Sequence, residues 1–403
     1  MTGKAVRLWA ACAVAACIAI ASLSRSRVVE SHPAGNDLTV HEWGTFTSVA
    51  ARDGQAVEWL PLTGSTDLPG FVEHFRGGSF KCGLGGTVRM ETPVLYFYSP
   101  RETTVSVKVS FAKGLITEWY PHASAVAPEG SGVMPSRGNV NGSIRWDRVH
   151  LLPGSQNVFP SGEDDNHYYA ARDTSATPVR VKAPGGDQDE KFLFYRGVSE
   201  ASLPVAARLT PQGQVLVQNL GKESIPSIML LESRGGKLGY RVASDLQDQV
   251  LLDPPSLTAT TAAMLQNLEG ILIAQGLYVD EARAMIATWR NSWFEEGTRL
   301  LYILPAPAVN AILPLIVNPA PANTVRVFVG RLEIVTPATE AAVERAFAAH
   351  DHQTLDKYRR FLEPVLKVML EGTQPDPART RALQGDLNSV YTYACRSPWP
   401  NEP

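Results

Sequence analysis

The stretch Thr103-Thr104-Val105-Ser106-Val107-Lys108-Val109-Ser110-Phe111 alternates without a break. Val105, Val107, Val109 and Phe111 fall on one side, and Thr104, Ser106, Lys108 and Ser110 on the other. A period of two marks a half-buried strand, because successive side chains along a strand point to opposite faces. This segment sets the expectation for its surroundings: short strands, packed on one face and wet on the other.

Working outward, the same pattern recurs. Val94-Leu95-Tyr96-Phe97-Tyr98 is an aromatic strand stopped by Ser99-Pro100, and 191–196, 205–209, 215–219 and 228–232 continue the series. Pro211-Gln212-Gly213 has the composition of a tight turn between two of them. Many short strands with regular turn signals imply a sandwich or jelly-roll-like arrangement over 38–252. The character changes at Asp253-Pro254-Pro255. A helix is expected over 259–275, closed by Gly276. A second is expected to start at Asp280, with Ala282, Met285, Ile286, Trp289 and Trp293 as its core stripe. Strands at 299–304 and 325–335 are expected to pair. Thr336-Pro337 opens another helix, and a longer one over 355–370 should kink at Pro364. The fold class is therefore α+β: a β-rich amino-terminal domain (38–252) and an α+β carboxy-terminal region (253–403).

Ahead of these lie a leader at 1–27 and a polar linker at 28–37. Lys4 and Arg7, an apolar run over 8–21 and Ala19-Ile20-Ala21 are the three parts of a secretory signal. Three outcomes are open: cleavage near Ala21, an uncleaved membrane anchor, or a lipid on Cys17 in Val14-Ala15-Ala16-Cys17. Each leaves the body outside the cytoplasm, periplasmic, secreted or tethered, touching membrane only through this segment. Hydrophobic residues make up 44% and charged residues 19% of the chain, the balance of a folded protein. A net charge of −3 without basic runs speaks against nucleic acid and against electrostatic membrane docking. Cys12 and Cys17 sit in the leader, so Cys82 and Cys395 remain, and in an oxidising compartment the pair is expected to form a disulfide. A catalytic thiol at Cys82 is the competing reading.

The segment His41-Glu42-Trp43-Gly44-Thr45-Phe46-Thr47 is the densest in chemistry. It reads either as a first strand with Trp43 in the core and Gly44 at a bulge, or as a ligand or acid/base pair at His41 and Glu42. Strand alternation sends those two neighbours to opposite faces, which works against their cooperation. Glu91 enters an apolar strand and needs solvent or a partner such as Arg89 or Arg196. Glu118-Trp119-Tyr120-Pro121-His122 sets a carboxylate, two aromatics and an imidazole at a strand end. Glu163-Asp164-Asp165-Asn166-His167-Tyr168-Tyr169 gathers oxygen ligands beside an imidazole, at a spacing that fits no EF-hand. Glu295 and Glu296 end the tryptophan helix against its dipole, so an internal salt bridge is expected, with Arg290 or Arg299 compensating. His350-Asp351-His352 reads as a solvated helix junction. There is no G-x-S-x-G elbow, P-loop, H-E-x-x-H or dinucleotide fingerprint.

The stretches 41–47, 89–98, 191–197, 293–305 and 325–335 resemble signature segments of a group of uncharacterised exported bacterial proteins that share HEWGTFT. The resemblance covers most of the mature chain and implies export and one continuous architecture. It implies no activity, cofactor or substrate.

Two functions follow as expectations. The first is a ligand-binding or structural module of the cell envelope, meeting a glycan, peptide or envelope partner through loops and exposed aromatics such as Trp119 and Tyr120. The second is a metal-assisted hydrolase of an envelope or extracellular polymer. It would hold a zinc or calcium ion with His41, His122, His167, Asp164 and Asp165, and use Glu42, Glu91 or Glu118 as base. Two of those histidines and a carboxylate within ~5 Å would favour the hydrolase.

Overall fold

A computed structural model of the chain describes residues 37–60, 68–75, 84–128, 140–162, 166–372 and 376–396. The leader, nearly all of the linker, Cys82, Asp164 and Asp165 lie outside the described residues, as does the side chain of Cys395. From Gly35 onward the chain forms one compact unit.

The strands begin with β1 (Thr39–Ala50), β2 (Glu73–His74), β3 (Val88–Tyr98), β4 (Thr103–Phe111), β5 (Gly114–Tyr120), β6 (Ala125–Ala127) and β7 (Gly142–Leu151). After a 3-10 turn at His167–Arg172 come β8 (Val179–Ala183), β9 (Gly186–Glu190) and β10 (Leu193–Ser199). Next are β11 (Val205–Leu209), β12 (Val215–Asn219), β13 (Ile225–Arg234), β14 (Lys237–Leu246) and β15 (Gln249–Leu252). Helices α1 (Thr261–Ala274) and α2 (Val279–Trp293) precede β16 (Gly297–Ile303), α3 (Ala306–Ile312), β17 (Leu315–Asn318) and β18 (Asn323–Ile334). The rest is helical: α4 (Pro337–Ala349), α5 (His352–Lys357), a 3-10 turn at Arg359–Phe361, α6 (Leu362–Glu371) and α7 (Pro377–Arg396).

The centre is a nine-stranded sheet in the order β14-β13-β16-β18-β1-β3-β10-β5-β2. One of its faces packs on two smaller sheets, β17-β4-β7-β8-β9 and β11-β12-β15, around Phe46, Leu95, Trp146, Val149 and Phe328. Its other face packs on α1, α2 and the His167–Arg172 turn, around Trp43, Tyr96, Phe194, Trp289 and Trp293. A third cluster, holding Val49, Trp59, Phe361 and Leu366, roots the terminal helices. The alternation of β4 is present as expected, with Val105, Val107, Val109 and Phe111 buried and Thr104 and Lys108 exposed. Among the described residues no helix is long and apolar enough to cross a membrane.

β1 is buried along its whole length because it has a neighbour on each side and a layer on each face. It pairs antiparallel with β3 and parallel with β18, Thr39 opposite Asn323. That parallel pair departs from the all-antiparallel jelly-roll pattern. It also corrects the division at residue 252. β16 and β18 pair as expected, yet they do so in the middle of the sheet that β1 and β3 build. The change of composition at Asp253 marks where helices enter, and not where a second body starts.

Several local signals act as their chemistry requires. Gly44 sits where the β1–β3 register shifts, and a Cβ there would come within 2.7 Å of the Phe328 ring. Thr336 caps α4, its hydroxyl accepting from the Thr339 N–H at 3.2 Å, with Pro337 at the first helical position. Two expectations need correction. The N-cap of α2 is Tyr278, and Asp280 lies in the first turn. The helix expected over 355–370 is two helices, and Pro364 falls in the first turn of α6, where its missing N–H has no partner to lose and no kink results.

Candidate functional site

His41 and Glu42 lie on opposite faces of β1, as alternation dictates, and each finds a distant partner. On the helix face, His41 Nδ1 lies 2.8 Å from Glu281 Oε2. Tyr98 donates to Glu281 Oε1 at 2.8 Å, and the Tyr278 N–H donates to Oε2 at 2.8 Å. The His41 ring packs on Tyr278 with centroids 4.4 Å apart, and its Nε2 has no hydrogen-bond partner among the described residues. His41 is 1% exposed and Glu281 0%, so this pair ties α2 to the sheet from within the core. On the other face, Glu42 takes hydrogen bonds from the Tyr195 hydroxyl and from Arg326 Nε. Burial alone would lower the Arg326 pKa, but the Glu42 carboxylate raises it above its ordinary value.

The other two candidate bases are also consumed. Glu91 accepts from Arg360 and from the Thr47 hydroxyl, and Arg89 lies 3.5 Å away. Burial pushes the Glu91 carboxyl up, yet Arg360, Arg89 and Arg331 together hold it below the usual carboxylate range. Glu118 accepts from Arg196 Nη2 at 3.0 Å and from Thr117. A carboxylate locked against a guanidinium in the interior is a structural ion pair, poorly suited to exchanging protons with a substrate. The salt bridge expected at the end of α2 is there. Glu295 meets Arg331 Nη2 at 3.0 Å, while Arg299 donates to the carbonyls of Trp293, Glu295 and Glu296. Arg290, the other candidate, is exposed.

The three proposed histidine ligands do not gather, and Asp164 and Asp165 lie outside the described residues. His41 faces Glu281, His122 faces Glu73, and His167 lies with its ring 6.1 Å from Trp289. Among the described residues no three His, Cys, Asp or Glu side chains are placed to hold an ion. These histidines sit on separate strands and turns whose side chains aim at different layers.

What does gather is a surface at the end of β5, drawn from five separate segments. The 3-10 turn His167–Arg172 begins where Asn166 accepts from the Tyr168 N–H at 2.8 Å, and it carries Tyr168, Tyr169 and Arg172. Arg172 stands among four rings, its guanidinium carbon 4.8 Å from the Tyr169 centroid, 5.4 Å from Phe159, 5.6 Å from Tyr168 and 6.0 Å from Phe71. Below them Arg172 Nε and Nη2 donate to the two oxygens of Glu190 at 2.9 and 2.6 Å. Glu190 is fully buried, and burial pushes its carboxyl above the ordinary value even with Arg172 against it. Phe71 leans on Tyr120, centroids 4.7 Å apart, and two residues along each chain segment Glu73 meets His122. His122 Nδ1 lies 2.8 and 3.1 Å from the two Glu73 oxygens, and the Trp119 indole N–H donates to Glu73 at 2.9 Å. The Gln188 side chain accepts from the His122 backbone N–H at 2.7 Å, which joins β9 to the same surface.

No protein-family model matches this chain, and no curated protein matches it. The site therefore stands on its own geometry. Phe71, Phe159, Tyr169, Trp119 and His122 are each half-buried, while Tyr120 and Tyr168 are buried beneath them. This corrects the expectation of exposed rings at Trp119 and Tyr120. Tyr120 is 3% exposed and serves as the floor. His122 is legible as a candidate from its strand-end setting, whereas Tyr168 and Tyr169 only follow a stretch read for its oxygen ligands and imidazole. Phe71, Glu73, Phe159, Arg172 and Glu190 carried no local signal, because only the fold brings their segments together.

Proposed function

We propose that this chain is an exported binding module, with a sandwich-like packing of sheets, that holds a ligand of the cell envelope on the surface around Arg172. The observation that carries the reading is the group of half-buried rings, Phe71, Phe159 and Tyr169, arranged about one guanidinium and edged by His122 and Glu73. Ligand sites characteristically combine apolar and aromatic walls with a few fixed polar groups. Every catalytic carboxylate suggested by the sequence is instead locked to an arginine, which favours binding over a metal-assisted hydrolysis. The leader segment and a Cys82–Cys395 bridge belong to the same proposal, as features of a body that works outside the cytoplasm.

Co-sedimentation with isolated envelope material tests it. The intact protein is expected to pellet with the envelope, and Phe159→Ala and Tyr169→Ala to remain in the supernatant while keeping the wild-type circular dichroism. Equal pelleting of all three proteins, or of none, overturns the proposal.

A further inference from the structure

We infer that the ligand of this surface is a neutral saccharide, an inference that rests on the binding reading above. Charge is the first argument. Among the described residues, the charged groups that build the surface stand against partners: Arg172 meets Glu190 at 2.6 Å, and Glu73 meets His122 at 2.8 Å. An anionic or cationic ligand would have to displace one of these partners, at the cost of leaving the other uncompensated.

The unused valences are the second argument. Glu73 engages Nδ1 of His122, and the Nε2 atom of the same ring makes no hydrogen bond to any described residue. Arg172 uses Nε and Nη2 on Glu190, and Nη1 has no acceptor among the described residues. These two open polar positions suit a hydroxyl, which can donate to one and accept from the other. The rings are the third argument. Phe71, Phe159 and Tyr169 offer flat apolar faces, which the C–H faces of a pyranose cover well while its hydroxyls stay at the rim. A peptide added as an extra strand would need an open sheet edge, and the edge here, β2, is only two residues long.

Isothermal titration of the full-length protein decides it, with four probes: linear oligosaccharides of glucose, of N-acetylglucosamine and of galacturonate, and a tyrosine-free extended peptide. At least one of the two neutral saccharides is expected to bind. Phe159→Ala and Tyr169→Ala are expected to weaken that binding about tenfold, and His122→Ala several-fold. Arg290→Ala, an exposed substitution on α2, serves as the folding and handling control. Binding of the galacturonate oligomer or the peptide alone, still weakened by Tyr169→Ala, overturns the saccharide inference and leaves the binding surface standing. Saccharide binding that no ring substitution weakens overturns the surface itself. A protein that co-sediments with envelope in a ring-dependent way yet ignores both neutral saccharides overturns the ligand class alone.

Discussion

Glu281 stands 240 positions from His41 and supplies the carboxylate that its Nδ1 meets in the core. Removing it strands a buried imidazole whose Nε2 has no partner among the described residues, and also takes an acceptor from the Tyr98 hydroxyl. Glu281→Ala is therefore expected to cost about 3 kcal/mol in urea unfolding, with Glu281→Gln losing roughly half as much because one oxygen remains. A loss for Glu281→Ala near that of an ordinary surface substitution would show that the pair does not hold α2 to the sheet. Acidity offers a second check at this scale. Burial opposes ionisation of Glu91 and Glu333, but Arg360, Arg89 and Arg331 hold Glu91 low, and Arg299 and Arg331 hold Glu333 low. Both therefore bind protons less readily folded than unfolded. Their stabilisation is complete above the unfolded carboxylate value and drains away as pH falls through the lowered folded one. Unfolding midpoints followed from neutral into acid should fall along that course, and Glu91→Gln should flatten the slope. An unchanged slope would contradict the linkage. Of these contacts, alternation in the sequence makes the opposite facing of His41 and Glu42 legible. It cannot name Glu281, Arg326 or Arg360, because a period says which face a side chain takes and nothing about what a remote element lays against it.

At the scale of elements, the signals that worked are those that a segment carries within itself. The alternation in β4, the Thr336-Pro337 start of α4 and the bulge at Gly44 all depend on neighbours a few positions away. Pro364 misled because the helix it seemed to interrupt starts only two residues before it. The end of α2 joins both kinds of reasoning. Two glutamates after a helix make a conflict with its dipole visible, and Arg299, on the next strand, answers it through three carbonyls and Glu333. Arg299 is fully buried, so Arg299→Ala should cost about 3 kcal/mol or more, and Arg299→Lys a smaller share, since an ammonium keeps the charge but not the fork of donors. Equal losses for the two variants in denaturant titration would mean that charge alone matters. At Gly44 a methyl group would meet the Phe328 ring at 2.7 Å and the Pro93 backbone at 3.2 Å. Phe328 is wholly buried and has little room to give, so Gly44→Ala should lose about 1–3 kcal/mol by overpacking. A neutral outcome in the same titration would show that the β1–β3 bulge relaxes freely.

At the scale of the molecule, composition separates a strand-rich stretch from a helix-rich one, and the chain ignores the line between them. β1 lies between β3, met within the first hundred residues, and β18, which begins only at Asn323. A backbone laid down so early completes its hydrogen bonding only when one of the last strands arrives. The candidate site follows the same logic, since its five segments run from Phe71 to Glu190 and share no motif. Two-body and one-body architectures predict different behaviour on cutting. A fragment ending at residue 252 would keep β1 and β3 but leave the β18 side of β1 unpaired. It would also bare the face that α1 and α2 cover, including Trp43 and Tyr96. It is expected to stay unfolded or aggregate, and the intact body to lose near-ultraviolet tryptophan signal and far-ultraviolet helix signal at one denaturant midpoint. A fragment 38–252 with cooperative unfolding and dispersed amide resonances, or two separated midpoints in the intact chain, would restore the boundary that the composition suggests. A single midpoint would instead place the Arg172 surface and the distant helices under one cooperative equilibrium. In that case a core substitution such as Glu281→Ala should reduce ligand occupancy near the unfolding midpoint, while leaving affinity unchanged where the protein is fully folded.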